Sequence, residues 1–487
     1  MMKRKELESY LWGAATYLRG HIDAGDYKQF IFPLLFYKRI CDVYDEEYQQ
    51  ALAESGGDLE YASFAENHRF QVPKGSHWND VRSVTRNVGE ALQKGMRELE
   101  KANQEQLFGI FGDASWTNKD RLNNETLTNL IEHFSQHSLS IGNVPQDELG
   151  DAYEFLIKKF ADDSGHTAAE FYTNRTVVRL MTLISDPQPG ESVYDPTCGS
   201  GGLLLNCALQ LKDTGKEYRT LKLYGQEINL ITSSIARMNM FMHGIEDFQI
   251  VRGNTLSNPA FLENDRLKTF NVILANPPYS IKAWDQKAFA SDPFGRNIWG
   301  TPPQGYADYV FQQHIHTSLD PDNGRCVILW PDGILYRDAE SAIRRKMIES
   351  DVVECVIGLG PNLFYNSPME SYLLICRNNK PKTRQGKILF INAVKEVHKE
   401  KATSYLEEKH IQKIFNTYHD YQTIDGFSKV ISVEGVLDKK ANLNITLYTG
   451  SMQKTGNGEN LHDAIDQWNS SADELRQSIQ KLIAKLQ

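Results

Sequence analysis

The sequence predicts an α/β protein with a doubly wound, mostly parallel sheet, preceded by an all-helical domain and followed by a helical tail. Two observations lead to this prediction. Apolar residues recur at helical spacing through residues 1–150, with no sustained alternation of the kind that strands show. After residue 165, short apolar or β-branched runs alternate with helix-length segments, which is typical of a parallel sheet. The predicted strands are 192–195, 221–224, 248–251, 270–275, 325–330, 352–357, 372–376 and 387–393.

A length of 487 residues favours more than one domain. The pattern predicts a helical domain at 1–150, the sheet domain at 151–395 and a C-terminal extension at 396–487, since the strand pattern fades after residue 394. Apolar residues at near-heptad spacing in 461–487 predict an amphipathic helix. It either packs on its own domain or forms a seam for a helix of another subunit.

Composition and charge restrict the setting of the protein. A hydrophobic fraction of 40% and a charged fraction of 24% are typical of a folded protein, and the sequence contains no apolar run long enough for a membrane helix. The N-terminus lacks the apolar stretch of a secretory signal. The six cysteines are scattered without a metal-ligand spacing, so we expect buried thiols, no metal site and a cytoplasmic protein.

The strongest motif is the glycine-rich turn Asp-Pro-Thr-Cys-Gly-Ser-Gly-Gly at residues 195–202, between a predicted strand and the helical run 203–211. Glycines at such a junction let backbone N–H groups approach a ligand at the positive end of a helix. The spacing is not G-x-G-x-x-G and no Walker lysine follows, which disfavours a dinucleotide or a nucleoside triphosphate. Asp195 can meet a ligand ammonium group, and Glu227, at the end of the next strand, can accept both hydroxyls of a ribose.

The second motif is Asn276-Pro277-Pro278-Tyr279, directly after the predicted strand 270–275. Two prolines can simply end a strand. However, the side-chain oxygen of Asn276 and the carbonyl oxygen of Pro277 can also accept both hydrogens of one –NH2 group. Tyr279 offers a flat face on which a planar base can stack, for about 1–3 kcal/mol.

These two motifs, about eighty residues apart, resemble motifs I and IV of the amino-methyltransferases, which use S-adenosylmethionine (SAM). The long helical N-terminus, the segment Glu-Phe-Tyr-Thr-Asn-Arg at 170–175 and the segment Asn-Leu-Phe-Tyr at 362–365 resemble the modification subunit of type I restriction–modification systems. The resemblance covers roughly residues 1–480. It implies a SAM-dependent, Rossmann-like fold and transfer of a methyl group to N6 of a flipped adenine in DNA.

The resemblance also implies roles for individual residues. Asn276, Pro277 and Tyr279 form the catalytic set, and Phe364 contacts the flipped base opposite Tyr279. Asn254 touches the SAM adenine, and Glu227 binds the ribose. The remaining implied SAM-binding residues are Glu170, Phe171, Tyr172, Thr173, Asn174 and Arg175 near the methionine part, and Asp195, Thr197, Gly199, Ser200, Gly201 and Gly202 at the amino-acid end. Asn174 departs from the family, which usually has proline there.

The expected catalysis is mainly positioning of the amine against the SAM methyl group, and the motif contains no obvious base. A cytosine-C5 methyltransferase is disfavoured because no Pro-Cys dipeptide occurs. Two alternatives stay open: a protein-glutamine methyltransferase, and a catalytically inactive assembly subunit. Asp308 and Phe311 either shape the pocket or, for Asp308, cap a helix. The aromatic-rich loop 284–299 is either a lid over DNA or a surface loop.

The net charge of −10 bears on the partners. Proteins that bind DNA alone usually carry a basic surplus, so an acidic chain favours a partner that supplies positive charge. The resemblance implies double-stranded DNA, a specificity subunit in a complex of two modification subunits to one specificity subunit, and a restriction subunit.

Overall fold

The computed structural model describes residues 2–163, 173–363, 369–399 and 404–450. Glu170, Phe171, Tyr172, Phe364 and the C-terminal segment 461–487, all part of the sequence predictions, lie outside the described residues. Within the described residues, no helix is both long and apolar enough to cross a membrane.

The N-terminal part is helical, as predicted. Its central helix is α2, which is buried all round from Phe30 to Cys41 because the other helices pack on every side of this stretch. Leu7 and Leu11 of α1 lie in the same hydrophobic core. The helices are α1 (Arg4–Leu18), α2 (Lys28–Glu54), α3 (Leu59–Ala62), α4 (Trp78–Arg82), α5 (Val88–Ala102), α6 (Gln104–Leu107), α7 (Asn124–Phe134) and α8 (Gln146–Asp163).

The second part contains a nine-stranded sheet in the order β13-β10-β8-β9-β7-β6-β1-β2-β3. Neighbouring strands pair in parallel except at β9, which is antiparallel to β7 and β8, and at β13, which is antiparallel to β10. The prediction of a mostly parallel sheet is therefore confirmed. The nine strands of this sheet are β1 (Ser192–Asp195), β2 (Lys222–Glu227), β3 (Phe248–Arg252), β6 (Val272–Ala275), β7 (Arg325–Pro331), β8 (Val353–Leu359), β9 (Ser371–Arg377), β10 (Lys387–Ala393) and β13 (Ser428–Ser432). Two small two-stranded sheets are formed by β4 (Leu262–Glu263) with β5 (Arg266–Leu267), and by β11 (His398–Lys399) with β12 (Ser404–Tyr405).

Helices cover both faces of this sheet, and each face has its own hydrophobic core. Successive strand residues enter opposite cores, as Val193 and Tyr194 of β1 do. The helices are α9 (Arg175–Ser185), α10 (Gly202–Asp213), α11 (Leu230–Met242), α12 (Gln286–Ala290), α13 (Asp308–Thr317), α14 (Gly333–Tyr336), α15 (Ser341–Glu349), α16 (Glu408–Asp420), α17 (Val433–Leu437) and α18 (Thr446–Thr449).

The expectation that strands end near residue 394 is wrong. β13 pairs with the edge strand β10, with Lys387 opposite Ser432 and Ile391 opposite Ser428. Its sequence, Ser-Lys-Val-Ile-Ser, is short and mixed because an edge strand needs little apolar surface, so the alternation was too weak to detect. β6 also begins two residues later than predicted.

The boundaries between the three predicted domains remain a prediction. α8 spans the first of them, and its buried residues belong to the core of the N-terminal helices. Ile235, Met238 and Met242 of α11 join that core, so α11 packs against the helical part as well as the sheet.

The chain leaves β1 for β2 and β3 on one side and returns to β6 on the other side of β1, which opens a crevice at the carboxyl ends of these strands.

Candidate active site

The two sequence motifs meet at this crevice. A cavity of about 760 Å³ is lined by Thr197 of the glycine-rich turn and by Asn276, Pro277 and Tyr279 of the second motif. The adjacent loops contribute other predicted residues, Glu227 and Asn254, to the same lining. The strand order explains the meeting, because β1 pairs directly with both β2 and β6. The strand tips therefore face one shared cleft.

The glycine-rich turn requires its glycines. Gly199 and Gly201 have φ values of +54° and +79°, a region that disfavours residues with a Cβ. A Cβ on Gly202, the first residue of α10, would overlap the guanidinium group of Arg175, so that side chain would have to shift from its present position. The turn is fixed to β2 by the Cys198 N–H, which donates to the Gln226 carbonyl at 2.9 Å.

Glu227 links the turn to the end of β2. Its two carboxylate oxygens accept from the backbone N–H groups of Gly199, at 3.1 Å, and Asn229, at 2.8 Å. The side chain is half-buried and lines the cavity. A carboxylate held at both oxygens by backbone donors has a fixed orientation and keeps further lone pairs for hydroxyl groups.

Asp195 lies at the carboxyl end of β1 and is fully buried. One of its oxygens accepts from the Thr197 N–H at 3.0 Å. Burial, assisted by the nearby Glu227 carboxylate, raises the pKa of Asp195 to about 8. A cationic ligand group beside Asp195 would favour its ionised form.

This pKa shift predicts a pH-dependent stability. Between about pH 4 and pH 8 the folded protein holds a proton on Asp195 that the unfolded chain releases. The free energy of unfolding therefore falls as pH rises through this range, and the contribution of the bound proton is lost once pH exceeds about 8. We expect the melting temperature of the ligand-free wild type to fall between pH 6 and pH 9 relative to that of Asp195→Asn. For a chain of 487 residues, the expected loss of about 2 kcal/mol corresponds to a relative fall of about 2 °C. Parallel melting curves for the two proteins across this range would contradict the assignment.

The Asn276 side chain has a fixed orientation. Its Nδ2 donates to the Thr173 hydroxyl at 3.1 Å, and its Oδ1 accepts from the Tyr279 hydroxyl at 2.8 Å. Burial raises the pKa of Tyr279 well above its ordinary value, so this hydroxyl keeps its proton and remains a donor. These two hydrogen bonds fix which atom of the Asn276 amide is the oxygen, and that oxygen has a second lone pair for an incoming N–H.

Asp308 fixes the turn that follows the second motif. It is fully buried, accepts from the Ser280 N–H at 2.8 Å and pairs with Arg337. Ser280 has a φ of +51°, so this turn is a constrained one. Asp308 is the first residue of α13 and its side chain is not the helix cap. Of the two predicted roles, the structure shows the shaping role, and Phe311 lines the cavity.

Behind the glycine-rich turn, a polar network reaches the helical part of the protein. Glu154 of α8 accepts from Arg175 and, at 2.7 Å, from Asn239 of α11. Asn239 is fully buried and also donates to the Ser200 carbonyl at 3.1 Å. The network fixes Arg175 behind the turn and Ser200 within it; neither residue lines the cavity.

Asn174 is not brought into the cavity. It is the N-cap of α9, where its side chain accepts from the Thr176 N–H at 3.0 Å and donates to the Ser404 carbonyl at 3.0 Å. Thr173, predicted with the cofactor set, contacts Asn276 instead. Glu170, Phe171, Tyr172 and Phe364 lie outside the described residues, so their roles stay predictions.

Comparison with known proteins identifies the family. The family model described as N-6 DNA methylase matches residues 144–456. The chain belongs to the N-6 DNA methylase family. A second family model, the HsdM N-terminal domain, matches residues 7–134 of this N-6 DNA methylase.

Relatives of this N-6 DNA methylase carry consistent names. It is 30% identical to the type I restriction enzyme MjaVII methylase subunit of Methanocaldococcus jannaschii, over 87% of this chain and 74% of the relative. It is 27% identical to the MpnII methylase subunit of Mycoplasma pneumoniae, over 92% of this chain and 90% of the relative. The crystal structure of a type I restriction–modification methyltransferase subunit from Streptococcus thermophilus superposes with a TM-score of 0.80 at 29% identity, over 92% of this chain and all of that one.

These matches confirm the resemblance drawn from the motifs. The chain is a DNA methyltransferase of the type I modification-subunit group. The comparisons give no support to the two alternatives, a protein-glutamine methyltransferase and an inactive assembly subunit.

The loop 284–299 of this N-6 DNA methylase forms a wall of the cavity. It contains α12, and its Trp284, Phe289 and Phe294 line the cavity. Phe289 is buried against Ala307 and Val310 in a small apolar cluster. The loop was predicted to be either a lid over DNA or a plain surface loop. The structure instead shows a packed wall of the cavity, which neither prediction described.

Sequence reasoning missed several residues of the site. Glu154 and Asn239 are single polar residues within helices that are recognised by their apolar residues, and neither belongs to a short motif. Arg296 lies in the aromatic-rich loop four residues after Asp292, with Phe289 and Phe294 nearby. A lone charged pair among aromatic residues was the one signal that could have drawn attention to it.

Proposed function

We propose that this DNA methyltransferase transfers the methyl group of SAM to the exocyclic N6 of an adenine flipped out of the duplex. The observation that supports the proposal is the single cavity into which both Glu227 and the Asn276–Tyr279 motif open. One side of this cavity offers the Glu227 carboxylate, which suits hydroxyl groups, and the Asp195 carboxyl is buried behind the same side. The other side offers two acceptor oxygens suited to an amine.

SAM fits the first side by its chemistry. Glu227 would accept the ribose hydroxyls, and the buried Asp195 carboxyl lies beneath the turn that would receive the amino-acid end. Asn254 is exposed to the cavity, where it would contact the adenine of SAM. Once bound, SAM supplies an electrophilic methyl group on a sulfonium, which leaves as a neutral thioether.

The target adenine fits the second side. Asn276 Oδ1 and the Pro277 carbonyl would accept the two N6 hydrogens, which directs the nitrogen lone pair at the methyl group. Tyr279 lines the cavity and would stack on the base, which must leave the duplex to reach this depth. The amine attacks in its neutral form and becomes cationic, and therefore acidic, on methylation, so it can release one proton to solvent after transfer. Catalysis by positioning of the amine explains why the Asn276–Tyr279 motif contains no general base.

The proposal includes partners. Residues 1–163 carry −9 of the net charge of −10, so the helical part offers phosphate groups little attraction. The relatives are named as subunits of type I restriction enzymes. We therefore propose that a specificity subunit supplies most of the DNA affinity, in a complex of two modification subunits and one specificity subunit, and that a restriction subunit joins the full complex.

Methyl transfer to defined substrates tests the activity. The chain, with and without a cognate specificity subunit, would be incubated with radiolabelled SAM and either duplex DNA or a protein extract. We expect label in DNA, recovered as N6-methyladenine after digestion to nucleosides. Label in protein would indicate the glutamine-directed alternative. Label in neither, with the specificity subunit present, would favour the inactive subunit.

DNA binding tests the partner. At about 150 mM salt we expect the isolated chain to bind a 30-base-pair duplex no more tightly than about 1 µM, within the usual range of non-specific binding. Addition of the specificity subunit should strengthen binding to its target duplex at least about 100-fold. Fluorescence anisotropy with a scrambled duplex as the control measures both. Tight, sequence-specific binding by the chain alone would contradict the charge argument.

A further inference from the structure

Arg296 is an unusual residue for a long loop, because it is 2% exposed. Its Nη1 and Nη2 donate to the carbonyl oxygens of Thr255 and Leu256 at 3.0 and 2.9 Å. Its Nε donates to Asp292, whose side chain is 1% exposed, at 3.0 Å. The guanidinium group is therefore paired with a carboxylate and with two backbone acceptors from a different part of the chain.

These contacts join three loops of the cavity. Thr255 and Leu256 directly follow Asn254, in the loop after β3. The Thr255 hydroxyl in turn donates to the carbonyl of Pro196, in the glycine-rich turn, at 2.6 Å. A continuous chain of hydrogen bonds thus runs from the segment after the Asn276 motif, through the Asn254 loop, to the turn that follows β1.

The burial of the Arg296 guanidinium group indicates that it fixes the position of the loops it contacts, rather than that it mainly adds stability. Removing an arginine and an aspartate from water is costly, and apolar packing would often be at least as stable. The carbonyl of the buried Thr255 needs a donor, and the planar guanidinium satisfies it together with the partly buried Leu256 carbonyl while it pairs with Asp292. The ring centroids of Phe289 and Phe294 lie 5.8 and 5.1 Å from the Cζ atom of Arg296, so both rings shield the guanidinium group from water.

We infer that Arg296 is a positioning residue for the cofactor side of the cavity, acting through Thr255. It holds the loop that carries Asn254 against both the aromatic wall and the glycine-rich turn, so that the adenosine portion of SAM meets a preformed surface. This inference rests on the proposed use of SAM. Asn276 has its own contacts with Thr173 and Tyr279, so the target-base side does not depend on Arg296.

Arg296→Lys tests the inference, because lysine keeps the charge but has a single ammonium group that cannot span two carbonyls and Asp292. We expect the Kd of SAM, measured by calorimetry, and the KM for SAM to rise about tenfold, while kcat at saturating SAM stays within about threefold. Arg325→Lys is the matched control. Arg325 is also buried and binds two backbone carbonyls and a carboxylate, those of Ser185, Asp186 and Glu191, at the amino end of β7, the end opposite the cavity.

A second pair of variants covers the case in which Arg296→Lys fails to fold. Thr255→Val removes the hydroxyl that reaches Pro196 at nearly constant volume, and Thr255→Ser retains it. We expect weaker SAM binding for the valine variant and near wild-type binding for serine.

The outcomes separate the inference from the proposal beneath it. Unchanged SAM affinity in both Arg296→Lys and Thr255→Val, with normal binding by the wild type, would overturn the inference alone. An equal loss of affinity in Arg325→Lys would also overturn it, since a general loss of stability would then explain the effect. Absence of SAM binding by the wild type would overturn the proposed function and this inference with it.

Discussion

Replacement of Asn276 by alanine is expected to lower the rate of methyl transfer about 10²- to 10³-fold while the Kd of SAM changes less than about twofold. The rate falls because one of the two acceptors that orient the amine is lost, and single preorganised hydrogen bonds of this kind contribute that much to catalysis. SAM binding persists because Asn276 contacts Thr173 and Tyr279, whereas Glu227 and Asp195 are held by other groups. Single-turnover transfer and calorimetric SAM binding measure the two quantities.

Asn271→Ala is the matched control for this variant. Asn271 immediately precedes β6, at the end opposite Asn276, where its side-chain oxygen accepts from the Ser192 N–H at 2.9 Å. Its loss should lower stability with little change in the rate of transfer. If Asn276→Ala lost SAM affinity instead of rate, the two halves of the site would have been assigned in the wrong order.

Replacement of Glu227 by alanine is expected to weaken SAM binding about 100-fold. Two hydrogen bonds from ribose hydroxyls to a carboxylate contribute about 1.5 kcal/mol each at the lower end of the usual range, and 1.4 kcal/mol is a factor of ten. The variant also leaves the N–H groups of Gly199 and Asn229 without the acceptor that orients them. Glu227→Gln keeps one acceptor oxygen and should lose about tenfold.

Glu191→Ala controls for the loss of a structural carboxylate. Glu191 accepts from the Gln188 N–H at 2.8 Å and pairs with Arg325 at 2.7 Å, before β1 and away from the cavity. We expect it to lower the melting temperature and leave the Kd of SAM unchanged. Wild-type SAM affinity in Glu227→Ala would place the ribose elsewhere and remove the main support for the cofactor side.

The sheet could be predicted from the sequence because buried parallel strands leave apolar runs of recognisable length. Seven strands of the large sheet, from β1 to β9, lie within three residues of the predicted bounds, and β1 and β10 match them at both ends. β13 could not be predicted in this way, since an edge strand with one buried face has only a brief alternation. The position of Asn276 directly after β6 likewise followed from the run before it.

Residues that act through contacts distant in sequence could not be found. Arg296 meets Thr255 across 41 positions, and Glu154 meets Asn239 across 85. Neither contact has a sequence period, because each depends on where helices and loops lie after the sheet has formed. Asn174 shows that sequence position can also suggest a role that the structure does not show. Its place in the 170–175 segment indicated a ligand-binding residue, but its side chain caps α9.

By itself, the sequence determined the fold class, the two motifs and the family, because periodicity, glycine placement and an Asn-Pro-Pro-Tyr turn are local properties. The tertiary structure alone decided that the 284–299 loop forms a wall of the cavity shared by the two motifs, that Asp308 fixes the turn after the second motif, and that Arg296 joins the wall to the loop after β3. The physical reason is that backbone preference acts over a few residues, whereas burial and hydrogen-bond pairing are satisfied among whichever groups the strand order brings together.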